Sequence, residues 1–365
     1  MVARAETIEA DRFFSYSLDV NTSNCAESTL HDSARRFLLN TPWSVAACEP
    51  LSGDASARHY FRLRQGKQTA ILMDASQNLE SVATFIRIGQ HLRSLGFSAP
   101  AILASNEGRG LLLLEDFGDD TFAQLLERGC LSRSGNAAAA RMAAPLGLGS
   151  AEQLFALATD VLIALHKHPE AIPSGLRRYH PQKMLEDIEL FLDWRAPGIS
   201  SGGKEEFRAN WREVLPLAHH VPGSLLLRDY HVANLMLLPD RVGTQQAGLL
   251  DFQDAYQGPI TYDLVSLLQD ARRDLPEGLE AQMLARYLAR FPALDPRAVE
   301  ISLAILAAQR HTRVLAIFER LSGLEGKHDY KRLHAPRVER QLRKALRHPA
   351  LAGVSQWMQR YVWKD

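Results

Sequence analysis

The first third of the chain alternates short apolar runs with turn residues, which is the pattern of a small antiparallel sheet. Strand-like runs lie at residues 45–51, 59–64, 68–75, 101–106 and 110–118. Turn residues at 65–66 and 107–108 separate neighbouring runs, as they do in hairpins. Residues 79–95 have helical spacing and are followed by Gly96, a common helix stop, and a short helix is expected at 30–39.

The second half is mainly helical, because apolar residues recur there at three- and four-residue spacing. Helical patterns lie at 150–168, 181–194, 205–220, 261–273, 277–291 and 295–321. Short apolar runs between them predict strands at 224–229, 234–238 and 247–252. Residues 129–149 are rich in Gly, Ala and Ser and predict a mobile loop, with a short helix over AAAAR as the alternative.

These patterns predict an α+β protein of two lobes, because strands and helices are segregated along the chain. Polar residues 1–28 are expected to form a flexible extension. Residues 29–118 would form a small lobe on the antiparallel sheet, and residues 119–365 a mainly helical lobe. A chain of 365 residues is long enough to bury a core in each.

Charge and cysteine content disfavour several function classes. Lys plus Arg and Asp plus Glu each number 42, so a zero net charge gives no general attraction to nucleic acid or an anionic membrane. The three cysteines lack a CxxC spacing, which disfavours a disulfide framework or a zinc site. We find no signal-peptide core near the N-terminus and no apolar run approaching the ~20 residues of a membrane span. A soluble, cytoplasmic protein is therefore expected.

Three oxygen-bearing side chains accompany the short apolar runs of the second half. Asp229 ends the first run, Asn234 stands five residues later, and Asp251 follows seventeen residues after that, in the third run. Mg²⁺ is commonly held by one or two protein oxygens together with substrate phosphates. A carboxylate can also accept the proton of an attacking hydroxyl. The set favours phosphoryl transfer, whereas a single Asp or Asn here would indicate only a turn.

The segments LLLRDYHVANLMLL (225–238) and LLDFQDAYQGPITYDLVSLL (249–268) resemble the catalytic loop and metal-binding segment of the protein-kinase-like superfamily. More narrowly, they resemble its aminoglycoside phosphotransferase and choline kinase branch. The resemblance implies a bilobal kinase fold that uses ATP and Mg²⁺. It implies that Asp229 is the catalytic base and that Asn234 and Asp251 bind the metal. Asp263 would be structural and would brace the catalytic loop from the following helix.

The segment LSGDASARHYFRL (51–63) contains small residues whose backbone N–H groups could approach a phosphate, although an ordinary hairpin turn has the same composition. With the resemblance, the ATP contacts of the small lobe are expected at Gly53, Asp54, Ser56, Arg58, Arg62, Glu115 and Phe117. Glu115 and Phe117 would hold adenine through backbone groups at the hinge between the lobes. The triplet at 116–118 spells DFG but lies upstream of the catalytic loop, so Asp251 takes the DFG role.

Two departures from the family pattern concern charge at the site. Met73 stands where the family has a lysine on its third strand, and Leu227 replaces the histidine that usually precedes the catalytic Asp. Phosphate charge would then be met by Mg²⁺, by Arg58 or Arg62, or by loop amides. The departures leave a catalytically silent nucleotide-binding module as an alternative. The retained base and metal residues favour an active enzyme.

Pieces spread over residues 45–345 resemble the bacterial anomeric kinases of N-acetylmuramic acid and N-acetylglucosamine, which serve peptidoglycan recycling. The C-terminal stretch 309–338 discriminates best, because the wider family varies most there, and the missing lysine and the spelling DFQDA match the same group. An amino sugar is thus the expected partner. A kinase for an aminoglycoside or choline is the alternative, and acidic helix 181–194 keeps the aminoglycoside open.

A bound sugar needs several polar side chains and often one aromatic face. The candidates are Asp187, Trp194, Arg195, His231, Arg310 and His311. Arg310 with His311, or Lys327 with Arg337, could meet the lactyl carboxylate of N-acetylmuramic acid. Each has an ordinary alternative, because helix-face acids are usually solvated, Trp usually packs in a core and C-terminal basic residues usually lie on the surface.

Overall fold

The computed structural model describes residues 30–51, 58–133, 150–324 and 328–363, with only the backbone at 130–133 and 329. A five-stranded antiparallel sheet forms the first part, in the order β1-β2-β3-β5-β4. Its strands are β1 Ala47–Leu51, β2 His59–Gln65, β3 Gln68–Asp74, β4 Ile102–Asn106 and β5 Leu111–Glu115. The predicted antiparallel sheet is confirmed. β5 ends before 118 because Asp116 Oδ1 accepts the Gly118 N–H (2.9 Å) and Gly118 has a φ of 82°.

The two faces of this sheet bury different cores, because successive side chains of a strand point to opposite sides. On β3, Ile71 and Met73 face the core shared with α2 (Leu79–Ser94) and the helical part of the molecule. Ala70 and Leu72 face the other side, under α1 (Asp32–Leu39). Met73 is thus buried on the face of β3 that points toward the helical part, where the family's third-strand lysine would reach the phosphates.

The helical part follows a linker at residues 116–121. Its described helices are α3 Phe122–Arg133, α4 Ala151–Lys167, α5 Pro181–Trp194, α6 Ser201–Val214, α7 Thr261–Leu268, α8 Leu279–Leu288, α9 Pro296–Leu324, α10 His328–Ala345 and α11 Ala352–Tyr361. The mainly helical character is confirmed. The loop predicted from residue 129 is wrong as far as 133, since α3 continues there, and 134–149 lie outside the described residues. The expected extension 1–28 also lies outside them, and the lobe boundary at 118 stays a prediction.

Four short strands of the helical part form two separate ribbons. β6 (Gly223–Leu226) pairs with β9 (Tyr256–Pro259), and β7 (Leu235–Leu237) pairs with β8 (Ala247–Leu249). The three strands predicted at 224–229, 234–238 and 247–252 are therefore present in shorter form and are divided between two ribbons. Asp229 follows one ribbon, whereas Asn234 and Asp251 flank the other.

Contacts beyond the linker join the two parts of the molecule. The Leu249 N–H donates to Ser98 O and the Ser98 hydroxyl donates to Gln245 O, each at 2.7 Å. The rings of Phe85 on α2 and Phe252 stack with centroids 4.8 Å apart. Gly89 permits this contact, because a Cβ there would lie 3.2 Å from the Phe252 ring.

Helix α9 is the central helix of the second core. Its length and composition would suffice to cross a membrane, which corrects the expectation that no segment resembles a span. However, 83% of its most apolar window is buried inside the protein. The helix is apolar over its length because it packs on several sides, chiefly against α10, α5 and α7. The core helix of a globular protein has the same character.

Candidate active site

The turn that presents Asp229 is held by a side chain from α7. Arg228 adopts a φ of 66°, a left-handed conformation that costs a non-glycine residue roughly 1–3 kcal/mol. The Asp263 carboxylate accepts the N–H groups of Leu227 (2.7 Å) and Arg228 (2.9 Å). Burial raises the pKa of Asp263 to about 6, although both backbone hydrogen bonds oppose the shift. Two oxygens of one carboxylate thus fasten two consecutive amides of the turn.

The guanidinium of Arg228 is enclosed by aromatic rings and a carboxylate. It lies 4.7 Å from the ring centroid of Tyr179 and 5.0 Å from that of Tyr256, and it donates to Asp187 Oδ2 at 2.9 Å. The Tyr179 hydroxyl donates to the same oxygen at 2.8 Å. This arrangement combines cation–π contacts with a charged hydrogen bond, so it fixes the turn from its far side.

Asp187, which the sequence offers as a sugar ligand, is buried in this network. Burial opposes its ionisation, but Arg313, Arg228 and Lys183 outweigh that effect and hold the pKa of Asp187 below its usual value. Its described partners are protein groups that support the catalytic turn. Direct contact with a sugar stays a prediction for this residue.

Asp229 is 3% exposed, and its Oδ1 atom has no hydrogen-bond partner among the described residues. Burial raises the pKa of Asp229 to about 8, and the nearby Asp251 carboxylate adds to the shift. Asn234 ties the loop together, because its Nδ2 donates to Asp229 O at 2.9 Å. A raised pKa makes the ionised carboxylate a stronger base toward a hydroxyl.

Asp251 lies just beyond the other ribbon. Pairing of β7 with β8 places the Leu250 N–H 3.0 Å from Asn234 O, so Asp251 follows directly beside Asn234. Asp251 has a φ of 56°, a second left-handed residue. Its Oδ1 accepts from Gln253 Nε2 at 2.7 Å and from Arg58 at 3.2 Å. Strain at two neighbouring loops is typical of functional sites.

The donor atoms of this corner fit a magnesium ion. Asn234 Oδ1 is buried without a hydrogen-bond partner among the described residues, beside a loop that carries a carboxylate. Within the described ranges, no group of three or more His, Cys, Asp or Glu side chains could hold a metal alone. Mg²⁺ usually takes only one or two protein oxygens and completes its shell with phosphates and water. Asn234 and Asp251 would supply those two.

A cleft between the sheet and the helical part opens next to Asp251. Its apolar walls come from Leu51, Ile71 and Leu114 above and from Met236 and Leu250 below. The linker closes one end, where Glu115, Asp116, Phe117 and Gly118 line it. An apolar cleft closed at one end by a linker can hold a purine base.

The predicted ATP residues occupy different surroundings. Gly53, Asp54 and Ser56 lie outside the described residues. Arg62 is bound by the linker, since its Nε lies 2.8 Å from Asp116 Oδ2 and its Nη2 donates to Gly118 O at 2.9 Å.

The Glu115 side chain is bound as well, pairing with Arg241 and accepting the Ala101 N–H at 3.1 Å. Arg62 and Glu115 therefore shape the linker, and Arg58 is the arginine beside Asp251. Phe117 packs against Gly248, where a Cβ would lie 2.8 Å from its ring. The roles of these residues toward ATP stay predictions.

Three of the predicted sugar contacts are buried in the catalytic loop or in α9. Arg310 and His311 are almost fully buried inside α9, and His311 Nε2 lies 2.9 Å from Gln269 Oε1. His231 has no exposed surface, and burial together with Arg272 lowers its pKa to about 3. All three residues therefore offer almost no surface to a ligand.

The remaining two predicted contacts lie at the end of α5. Arg195 bridges Glu319 and Glu339, each at 3.0 Å. Trp194 packs on Gly323, where a Cβ would lie 3.2 Å from its ring. Both residues join α5 to the C-terminal helices, and sugar contact stays a prediction for them.

Sequence reasoning missed several residues of the site. Arg228 directly precedes Asp229, and Gln253 lies two residues after Asp251. Only the three-dimensional structure shows the partners of these two residues. Asp254 has a buried Oδ2 without a hydrogen-bond partner among the described residues, and its charge adds to the raised pKa of Asp229. The segment DFQDA contains both Gln253 and Asp254. Their polar side chains directly after Asp251 could have indicated that they belong to the site.

Comparison with known proteins identifies the family. The model of the phosphotransferase enzyme family matches residues 47–300, which contain the cleft and both strained loops. The chain belongs to this family. As a phosphotransferase it is a kinase-type enzyme. The predicted family and enzyme class are confirmed.

Two relatives of this phosphotransferase are similar over most of their length. A Caulobacter vibrioides protein named N-acetylmuramate/N-acetylglucosamine kinase is 32% identical, over 89% of this chain and 95% of its own. A Pseudomonas aeruginosa protein of the same name is also 32% identical, over 84% of this chain and 86% of its own.

Solved structures support the bilobal kinase-like fold of the phosphotransferase. A choline/ethanolamine kinase family protein from Mesorhizobium loti superposes with a TM-score of 0.57 at 14% identity, covering 90% of this chain and 99% of its own. An aminoglycoside phosphotransferase in complex with gentamicin gives 0.55 at 15% identity, covering 89% and 98%. At such identity the likeness concerns the fold alone.

Proposed function

We propose that this phosphotransferase transfers the γ-phosphate of ATP to the anomeric hydroxyl of N-acetylmuramic acid or N-acetylglucosamine, and that it does so in the cytoplasm. The observation that carries the proposal is the near full-length similarity to two proteins named as kinases of these sugars. The three polar residues around the cleft support it, because they supply the groups that phosphoryl transfer requires.

The buried carboxylate of Asp229 acts as the base in this proposal. It accepts the proton of the anomeric hydroxyl while the sugar oxygen forms a bond to the γ-phosphorus. The bond from the γ-phosphorus to the β,γ-bridging oxygen breaks, and ADP leaves with that oxygen. Burial and the neighbouring carboxylate raise the pKa of Asp229, which increases its basicity toward the hydroxyl.

A metal ion and an arginine would neutralise the charge of the phosphates. Asn234 and Asp251 would hold Mg²⁺, which supplies charge neutralisation on the phosphates when bound. Arg58 reaches Asp251 at 3.2 Å from the start of β2, where a third-strand lysine is missing. Arg58 would therefore take over part of the lysine's role toward the phosphates, whereas Arg62 is engaged by the linker.

The first experiment is turnover of the purified protein with ATP and Mg²⁺. N-acetylmuramic acid, N-acetylglucosamine, choline and kanamycin would be compared by ADP release, with the product phosphate located by ³¹P NMR. An anomeric phosphate on an amino sugar is the expected result. Turnover with choline or kanamycin alone would reassign the acceptor, and ATP binding without turnover on any acceptor would favour the silent module.

A further inference from the structure

The two proposed acceptors differ by one charged group. N-acetylmuramic acid carries a lactyl ether whose carboxylate N-acetylglucosamine lacks. An enzyme that accepts both sugars could bind the carboxylate with a cation placed beside the base but outside the reacting centre. Such a residue would set preference between the sugars without being required for phosphoryl transfer.

Most arginines beneath the catalytic loop are sealed from solvent. The side chains of Arg228 and Arg313 are 4% and 3% exposed, and Arg310 is 2% exposed as a residue. Arg272, in the turn after α7, is different because 20% of its side chain is exposed. It can therefore reach a ligand as well as the loop.

Arg272 touches the loop that carries the base. Its Nη1 lies 3.4 Å from Nε2 of His231, which is two residues beyond Asp229. The same His231 nitrogen lies 3.4 Å from Asn234 Nδ2. Arg272 thus approaches the catalytic loop from the helical part of the molecule, whereas Arg58 approaches Asp251 from the sheet.

The turn that carries Arg272 is fixed by its neighbours. The buried Asp270 accepts the Arg272 N–H at 3.0 Å, and its Oδ1 forms an ion pair with the Arg272 guanidinium at 3.7 Å. On the other side, Arg337 of α10 donates to Ala271 O at 3.2 Å and pairs with Asp274 at 2.9 Å. Backbone contacts therefore hold the turn, and two arginines, each with a side chain 20% exposed, flank it.

We propose that Arg272, assisted by Arg337, forms an anion subsite that binds the carboxylate of the acceptor sugar. This inference rests on the proposed sugar-kinase function and assigns its selectivity to residues of this chain. A guanidinium recognises a carboxylate through paired hydrogen bonds, which favours arginine over lysine for this task.

The test compares Arg272→Met with Arg273→Met. Arg273 is the adjacent residue, but it donates to Ala123 O and Glu127 on α3. We expect Arg272→Met to lower kcat/KM for N-acetylmuramic acid by roughly 10- to 100-fold, the loss of one charged hydrogen bond, while N-acetylglucosamine changes less than about threefold. Arg272→Lys should recover part of the loss, and Arg273→Met should leave both sugars unchanged.

The methyl ester of N-acetylmuramic acid gives a second measurement on the unaltered enzyme. It lacks the charge, so the wild type should use it less well than the free acid, and Arg272→Met should remove that difference. Equal losses for both sugars in Arg272→Met, or a wild type indifferent to the ester, would overturn the subsite and leave the sugar kinase intact. If the wild type phosphorylates neither sugar, the proposed function fails and the subsite with it.

Discussion

At the scale of single residues, the site is built from strained backbone held by neighbouring side chains. Arg228 and Asp251 both adopt positive φ, and each flanks or provides a predicted catalytic group. The sequence alone predicts Asp229, Asn234 and Asp251 as site residues, because their spacing is distinctive, and their roles stay predictions. It could not predict the strain, because the side chain that fastens the first turn, Asp263, lies 34 residues beyond Asp229.

We expect Asp229→Asn to lower the activity and to raise the stability of the folded state. Loss of the base is expected to lower kcat by roughly 10²- to 10⁴-fold. The folded-state pKa of Asp229 is raised from 3.8 to about 8, so ionisation favours the unfolded state. Stability from this group is therefore lost as pH rises from about 4 to about 8, at up to ~1.4 kcal/mol per pH unit. Because an asparagine side chain does not ionise, the Asp229→Asn variant should not lose this stability as the pH rises.

ADP release with ATP and Mg²⁺ measures the loss of activity, and thermal unfolding without Mg²⁺ measures the gain in stability, both at pH 7.5. The exposed Asp240→Asn is the control and should behave as wild type. An Asp229→Asn enzyme that turns over normally would contradict the assignment of the base.

Arg58→Ala should raise KM for ATP by about tenfold, because a charged hydrogen bond to phosphate is lost. Arg58→Lys should recover part of the affinity, and KM for the sugar should not change. Arg64→Ala is the matched control, since Arg64 lies on β2, the strand that Arg58 directly precedes, but pairs with Glu49 on the surface. Unchanged ATP kinetics in Arg58→Ala would show that another group replaces the lysine.

At the scale of elements, periodicity predicted the strands and helices whose burial is one-sided. The five strands of the sheet and helices such as α4 and α5 were found close to their predicted ranges. β9 was missed because four residues containing Gly and Pro form a strand only when β6 pairs with them. α3 was missed because the Gly- and Ala-rich stretch after it hid its helical spacing.

Asp187→Asn should destabilise the protein through α5. Removing one partner of a buried ion pair leaves the charge of Arg228 uncompensated, at about 3–5 kcal/mol. Urea unfolding measures this loss. Asp193→Asn on the same helix is the control, because Asp193 is 68% exposed and should change stability by less than about 0.5 kcal/mol. A normal free energy of unfolding with a raised KM for the sugar would instead make Asp187 a sugar ligand.

At the scale of the whole molecule, the lobed α+β architecture followed from the order of strands and helices and from two motifs. What the sequence left open was the interior of the helical part, where polar residues are buried. The stretch QRHTR lies inside α9 and is almost fully buried, and Asp187, Tyr179 and Gln269 provide polar partners for it. The sequence suggested a sugar contact or a surface position for Arg310 and His311, so these tertiary partners overrode their polarity.

Buried histidines should make the helical part sensitive to acid. Burial lowers the pKa of His166 and His311 from 6.5 to about 3. The folded state therefore binds no proton where the unfolded chain does, and stability present above pH 6.5 is lost as pH falls toward 3. Each histidine contributes about 1.4 kcal/mol per pH unit.

The test is urea unfolding at pH 7.5 and pH 5.0. His166→Gln should reduce the loss of free energy between these pH values by about 2 kcal/mol. His59→Gln, at an exposed position of β2, should not reduce it. An identical loss in His166→Gln and wild type would argue against this origin of acid sensitivity.

The hydrogen bonds of Ser98 to Gln245 and Leu249 carry one more consequence. Together with the covalent linker, the Phe85–Phe252 stack and the Arg58–Asp251 ion pair, they fasten the first part of the molecule to the helical part at several places. A change in the angle between the two parts would have to stretch or break at least one of these contacts. Opening of the cleft would therefore be resisted most where these contacts lie.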